Sequence, residues 1–334
     1  MAQREPATWP REGAPIRHLI TGVAGFIGSQ LADALLADGE TVCGVDDFSL
    51  GTPRHIACAR RHAGFRFVKA DISEPGRAAA AFRTLDGDAG PPDIIWHLAA
   101  NSDISAGVAD PAIDFVRTLG TTFAVLQAAR AVGARAVAFA SSSAVYGETD
   151  QVLTEASGPL LPISNYGAAK LASEGLLSAA AETSLERIWI FRFPNVVGPR
   201  TTHGALHDFA GRLAGRPASL EVLGDGAQMK PYTHVAELIE AMRFVTANAR
   251  ERRNLYNIGP EGPPTRVSFM AQAMVDRMAP GTPIGYGGGD RGWVGDVPRF
   301  AYSAERLARL GWRPKLSSDQ AVLRAAAEIA AEHR

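Results

Sequence analysis

The chain has little cysteine, almost no net charge and no long apolar run, and each shortage closes off a class of protein. Only Cys43 and Cys58 occur in 334 residues. Two thiols do not make a disulfide framework or a cysteine-rich metal cluster. Lys and Arg together number 34 against 35 Asp and Glu, a formal net charge of −1. That balance gives no electrostatic basis for binding nucleic acid or an anionic membrane. No uninterrupted apolar stretch approaches the ~20 residues of a membrane span. Residues 1–16 are polar and rich in Pro, Arg and Glu, without the apolar core of a signal peptide, so they read as a disordered extension. Internal repeats and low-complexity segments are also missing. The expectation is a cytoplasmic protein.

What is present is ordinary for a globular chain, 46% hydrophobic and 21% charged, and long enough for one large domain or two lobes. Its organising stretch starts with a short apolar run at residues 18–21. A turn carrying Gly22, Gly25 and Gly28 follows, then a helix-like segment at 29–38 closed by Gly39. Glycine permits the tight turn and lets backbone approach a pyrophosphate, while the helix N-terminus offers free N–H groups and the positive end of its dipole. The spacing is GxxGxxG, not GxGxxG, and three glycines alone also suit an ordinary turn. A second apolar run, 41–45, delivers Asp46. An acid at the end of a second strand, about 20 residues on, is placed to accept hydrogen bonds from adenosine ribose hydroxyls and would repel a 2′-phosphate. NAD is therefore favoured over NADP; the alternative is that Asp46 and Asp47 form a solvated turn.

The alternation continues. A strand at 65–68 leads to Asp71, which could reach an adenine amino group or cap a helix. A fourth strand, 93–100, contains His97 and ends in small residues that would let the backbone run beside a cofactor. A long Ala-rich helix is expected at 114–132, a fifth strand at 134–140 and a sixth at 187–193. The fifth ends in Ser141, Ser142 and Ser143, at the carboxyl end where open α/β sheets bind ligands. Strands alternating with helices imply an α/β fold, a doubly wound parallel sheet of Rossmann type. Residues 17–193 would form the NAD-binding domain. From 194 to 334 Gly and Pro cluster among shorter helical stretches at 206–215, 235–248, 267–278 and 320–333. That portion reads as a smaller α+β substrate lobe with segments returning to the sheet.

Tyr166 and Lys170 stand at i and i+4, on one face of a helix whose N-terminus opens at Ser164 and Asn165. A phenol with a pKa near ~10 is a poor base at neutral pH. A neighbouring ammonium and the positive charge of an oxidised nicotinamide favour phenolate and lower that value. Alone, the pair also suits a half-exposed Tyr and a surface Lys. His203 and His207 share i, i+4 spacing without a nearby third ligand, so no metal site is expected. His97 reads as part of a strand end and not as a general base. Glu148, Asp150 and Glu155 read as a solvated loop.

The glycine turn, Asp46, the serines at 141–143 and the Tyr166/Lys170 pair occur in the order and spacing of the short-chain dehydrogenase/reductase superfamily. From about residue 16 to 330 the chain resembles its extended branch, the nucleotide-sugar epimerases and dehydratases. The resemblance includes His97 to Ala100, Arg192 to Arg200, Gly224 to Val235 and the pair Gly295 and Asp296. Within that branch the chain looks most like the UDP-hexose 4-epimerases. The resemblance implies NAD held by Gly22, Gly25, Phe26, Ile27, Gly28, Asp46, Asp71, Ile72, Leu98, Ala99, Ala100, Tyr166, Lys170 and Pro194. It implies catalysis by Ser142, Tyr166 and Lys170: Tyr166 takes the proton of the sugar C4 hydroxyl as hydride passes to NAD, and the 4-keto sugar turns and is reduced on its other face. A UDP-sugar would meet Ser142, Ser143, Asn195, Lys230 and Trp293. Where 4,6-dehydratases carry an Asp-Glu acid/base pair, this chain has Ser143 and Ala144, so 4,6-dehydration is not expected.

Three departures stand out. Lys230 replaces a common Arg and keeps its charge without the fork geometry. Trp293 stands where relatives have an Arg ahead of the Gly295 and Asp296 pair, with Arg291 the nearest cation. Ser303 replaces an Asp and suits a helix N-cap. Rival expectations within the family are a UDP-glucuronate 4-epimerase or decarboxylase and a 4-keto-sugar reductase; outside enzymes, the rival is a sugar or dinucleotide sensor. Relatives pair through helices corresponding to 114–132 and 166–183, which implies a homodimer.

Overall fold

The computed structural model describes residues 15–87, 90–289, 291 and 297–333. Residues 1–14 of the expected extension, and Trp293, Gly295 and Asp296, lie outside the described residues. The first half alternates strands and helices: β1 (Arg17–Thr21), α1 (Phe26–Ala37), β2 (Thr41–Asp46), β3 (Phe65–Lys69), α2 (Pro75–Asp86) and β4 (Ile94–His97). Two short helices follow, α3 (Ile104–Ala109) and α4 (Pro111–Asp114), then a π-helical turn, Phe115–Gly120, and α5 (Thr121–Val132). The series continues with β5 (Ala136–Ala140), α6 (Asn165–Thr183) and β6 (Arg187–Arg192).

Beyond β6 the elements are shorter: β7 (Asn195–Val197), α7 (Ala205–Ala214), β8 (Leu220–Val222), β9 (Met229–Lys230) and β10 (Tyr232–His234). They continue through α8 (Val235–Asn248), β11 (Arg253–Asn257), β12 (Thr265–Arg266), α9 (Val267–Met278), β13 (Ile284–Tyr286), α10 (Glu305–Leu310) and α11 (Ser318–Glu332). No described helix is long and apolar enough to cross a membrane.

Seven strands form one parallel sheet in the order β11-β6-β5-β4-β1-β2-β3. β4 and β5 are buried along their whole length, as parallel strands covered on both faces must be. Successive residues face opposite ways. Ile20, Trp96, Trp189 and Phe191 pack with Leu31 of α1 and Leu238 of α8. Their neighbours Leu19, Ile95, Ile188 and Ile190 pack with Phe82 of α2, Val125 of α5 and Leu177 of α6. A third cluster joins α7, α9 and α11 around Leu206, Met274 and Val322. From β1 the chain runs outward to β2 and β3, then returns to β4 on the other side of β1. The carboxyl ends of β1 and β4 therefore flank the switch point, where such sheets bind their ligands.

Three local expectations are corrected. The first helix starts at Phe26 and not near 29, because Gly25 takes the extended N-cap conformation. The expected continuous helix at 114–132 is interrupted by the π-helical turn, and α3 and α4 precede it, capped by the side chains of Asp103 and Asp110. The fourth strand stops at His97, three residues short of Ala100.

Candidate active site

Two glycines of the first turn, Gly22 and Gly28, have a measurable reason. Gly22 lies at φ +72°, and a Cβ there would stand 2.9 Å from the Ala99 nitrogen. The backbone of Leu98 and Ala99 thus runs directly against the turn. A Cβ on Gly28 would stand 2.2 Å from the Gly22 carbonyl oxygen, so only glycine lets α1 press onto the turn. No side chain caps α1 at Gly25, which leaves its first amides, beginning with those of Phe26 and Ile27, for a ligand.

Asp46 is buried, 8% exposed, which excludes the solvated-turn alternative for it. Its Oδ2 accepts from the Ala24 amide at 2.9 Å and its Oδ1 from the Phe48 amide at 2.8 Å. Burial pushes its carboxyl up and the two amides oppose that shift. Asp47 pairs with Arg117 at 2.9 Å. Asp71 is half-buried and caps no helix; its Oδ1 accepts from the Ser73 amide at 2.9 Å, while Glu74 holds the N-cap position of α2. Ile72 and Pro194 are buried and Ala100 is half-buried.

The strand-end serines meet α6. Ser142 opens a 3-10 turn, Ser143–Tyr146, and its Oγ accepts from the Ala144 amide at 3.1 Å. Ser164 caps α6, its Oγ accepting from the Gly167 amide at 3.1 Å. A Cβ on Gly167 would stand 2.5 Å from the Ala144 carbonyl oxygen. Glycine at that position lets the head of the helix bring Tyr166 against the serine turn. Burial pushes the Tyr166 phenol up to about 12, and a hydrogen bond from the Ser142 side chain works against the rise. In the protein alone desolvation dominates and the Asp114 charge adds to the rise; the lowered value expected from the sequence belongs to the state with an oxidised nicotinamide bound.

Lys170 is 2% exposed. Its Nζ donates to the Ala140 carbonyl at 2.7 Å and lies 4.8 Å from the Phe139 ring centre and 5.7 Å from that of Tyr166. Burial lowers it to about 7, opposed by Asp114 and Glu174. Beside it, His97 is held neutral, lowered to about 3 by burial and by Lys170. The Thr21 hydroxyl accepts from the Leu98 and Ala99 amides at 3.2 Å each, so its proton goes to His97 Nδ1 at 2.9 Å. Thr122 gives its proton to the Thr118 carbonyl at 2.9 Å and accepts from His97 Nε2 at 3.0 Å. With both nitrogens engaged, His97 is a strand-end fixture and not a base.

Behind the pair lies a network the sequence reading missed. Glu174, one turn beyond Lys170, accepts from Nε and Nη2 of Arg192, at 2.9 and 2.6 Å, and from the Ser141 hydroxyl. Arg192 also covers the Tyr146 ring at 4.8 Å, and Tyr146 donates to Asn257 Oδ1 at 2.7 Å. Glu155 belongs to this cluster and not to a solvated loop, accepting from the Asn257 amide at 2.8 Å. Glu148 pairs with Arg291 at 2.9 Å.

Ser142, Tyr166 and Lys170 are thus brought together, with Ser143 half-buried beside them. Asn195 is exposed and pairs with Tyr232 in β10, two residues beyond the buried Lys230. His203 precedes α7 while His207 lies on it, so the two do not share a helix. Ser303 is not the residue adjoining α10; its Oγ accepts from the Glu305 amide at 3.3 Å.

Residues 18–259 match the family described as the NAD dependent epimerase/dehydratase family. The chain belongs to that family. It is 36% identical over 240 residues to a UDP-glucose 4-epimerase of Mycolicibacterium smegmatis, covering 70% of this chain and 73% of that protein. It is 33% identical over 250 residues to a dTDP-glucose 4,6-dehydratase of Streptomyces griseus, covering 72% of each. The crystal structure of the Thermus thermophilus UDP-glucose 4-epimerase in complex with NAD superposes with a TM-score of 0.81 at 27% identity, over 94% of this chain and 99% of that one. Membership makes this an NAD-dependent enzyme, and the residues fit that cofactor. The uncapped start of α1 suits a pyrophosphate, a Cβ at Gly28 would close the turn, and the Asp46 carboxylate suits ribose hydroxyls.

Proposed function

We propose that the chain is a nucleotide-sugar 4-epimerase acting on the UDP-glucose and UDP-galactose pair through a transient 4-keto sugar. The assembled Ser142, Tyr166 and Lys170 group carries this reading, because it supplies one proton-transfer site and nothing for eliminating water. Ser143 and Ala144 follow Ser142, and neither side chain works as an acid or a base. Bound NAD supplies an acceptor for hydride that is restored within each turnover. The chain's own residues handle the proton. Tyr166 takes it from the sugar 4-hydroxyl and returns it, and the Lys170 ammonium favours the phenolate needed for that step. Ser142, its oxygen already bonded to the Ala144 amide, directs its hydroxyl proton to the Tyr166 oxygen and orients the substrate beside it. The buried Lys230 offers charge to the diphosphate, and Asn195 stands near the same region.

The test follows UDP-glucose, UDP-galactose, UDP-N-acetylglucosamine and UDP-glucuronate by proton NMR with the purified enzyme and no added reductant. Interconversion of UDP-glucose and UDP-galactose, with NAD unconsumed, is the expected outcome. Conversion of UDP-glucuronate alone moves the substrate assignment, and carbon dioxide or net NADH removes the epimerase reading.

The same reading includes a homodimer. Phe115, Val116 and Phe123, 64%, 46% and 46% exposed, form an apolar strip along the π-helical turn and α5, suited to the same strip of a second copy. Light scattering should give twice 35.3 kDa, and Phe115→Asp with Phe123→Asp should give the monomer. A monomeric parent protein would remove this part of the proposal.

A further inference from the structure

Asp114 is a buried carboxylate that the glycine turn, the serine turn and the Tyr166/Lys170 pair do not account for. It ends α4 at 1% exposure. Its Oδ1 accepts from the Asn101 side-chain amide at 2.8 Å, and its Oδ2 is buried with no hydrogen-bond partner. Burying half a carboxylate unpaired is costly unless a nearby positive charge offsets it.

The chain makes room for this arrangement. A Cβ on Gly107 of α3 would stand 1.9 Å from Asp114 Oδ2, so any other residue there would displace the carboxylate. The carbonyl of Gly107 accepts from the side-chain amide of Asn165 at 2.9 Å, and Asn165 immediately precedes Tyr166. The pocket around Asp114 is thereby pinned to the head of the helix that carries the proton-transfer pair. The backbone leaves Asp114 in a π-helical turn, a local departure often found at functional sites.

Lys170 is the cation whose charge acts on this carboxylate. The Nζ donates to the Ala140 carbonyl of β5, so the interaction with Asp114 runs through space and not through a direct ion pair. The other ionisable groups around Lys170 are accounted for. Glu174 of α6 is matched by Nε and Nη2 of Arg192 from β6. His97 of β4 is neutral, and Tyr166 of α6 is protonated in the protein alone. Burial pushes the Asp114 carboxyl up, the Asn101 hydrogen bond and the Lys170 charge oppose that shift, and Asp103, at the start of α3, adds to it. Of the two carboxylates acting on Lys170, only Asp114 has no cation of its own.

We propose that Asp114 is the counter-charge that holds Lys170 as an ammonium beneath Tyr166, a positioning residue that touches neither sugar nor dinucleotide. The proposal rests on Tyr166 and Lys170 being the proton-transfer pair. Gly107 and Asn101 belong to the same device, the one supplying space and the other a hydrogen bond that favours the ionised carboxylate. The sign is set by charge. Asp114 raises the pH at which Lys170 loses its proton, and activity that needs the ammonium is lost as pH rises through that point. Removing the charge moves the loss to lower pH.

The test uses NAD-loaded enzyme labelled with 13C and 15N at lysine, the Lys170 signal being assigned with Lys170→Met. Asp114→Asn should lower the Lys170 titration midpoint by about one unit, and Asp114→Glu should restore most of it. The alkaline limb of kcat should move down by the same amount, with KM for the UDP-sugar little changed. A folded Asp114→Asn protein with an unshifted Lys170 midpoint overturns the proposal. If that variant fails to fold, the Asp114 Cγ signal of parent enzyme labelled with 13C at aspartate decides: ionised at pH 7 supports the proposal and protonated overturns it. A shifted midpoint in an enzyme that epimerises no sugar would leave Asp114's role standing and remove only the activity reading.

Discussion

Tyr166→Phe should lower kcat by roughly 10²- to 10⁴-fold, the usual worth of a positioned acid/base group, while UDP-sugar and NAD still bind. The change removes one oxygen. The ring remains against Lys170, and Ser142 keeps its bond to the Ala144 amide at 3.1 Å. Little stability should be lost, so a fall in turnover would report the chemistry. Steady-state kinetics with calorimetric titration of UDP-sugar separates the two. Turnover within tenfold of the parent would take the proton-transfer role away from Tyr166. A non-catalytic sensor would show no turnover in either protein. Because burial holds the phenol at about 12 in the protein alone, the base form depends on positive charge brought near it, which makes the charge state of Lys170 central.

Glu174→Ala should destabilise the fold by about 3–5 kcal/mol, the cost of leaving a buried cation without its partner. The Glu174 and Arg192 side chains are 8% and 5% exposed, and Arg192 Nη1 already lacks a hydrogen bond. Chemical denaturation should show the midpoint fall at an unchanged slope. A loss below about 1 kcal/mol, typical of an exposed pair, would mean that the cluster rearranges around Arg192. Since Glu174 shares a helix face with Tyr166 and Lys170, part of the loss should also appear as weaker turnover in the surviving folded protein.

The sequence spoke clearly where chemistry is local. Gly22 and Gly28 mark the turn because backbone geometry there tolerates nothing larger, and the spacing of Tyr166 and Lys170 places both on one side of α6. Strand positions were readable because β5 is apolar throughout and β4 is apolar up to His97. Contacts made across the sheet were not readable. Gly107 gives no local sign that a carboxylate seven residues on needs its space, and Glu174 does not announce that Arg192 will arrive from β6. The raised Tyr166 phenol of the protein alone was hidden for a related reason: neighbouring charge can be inferred from spacing, whereas the depth of a side chain is set by everything packed over it. Glu155 similarly looked solvated until β11 brought the Asn257 amide to it.

That last strand has a consequence for how the protein is made. β11 pairs along β6 from Ile188 to Arg192, yet it is reached only after β7 to β10 and two helices have been added. Until then a chain emerging from the ribosome carries an open strand edge. The side of β6 bearing Trp189 and Phe191 also waits for Leu238 and Met242 of α8. Unpaired edges and bare aromatic surface are what make nascent intermediates adhere to one another. Shielding by a chaperone during this interval, or slow synthesis at low temperature, should therefore govern the yield of soluble protein.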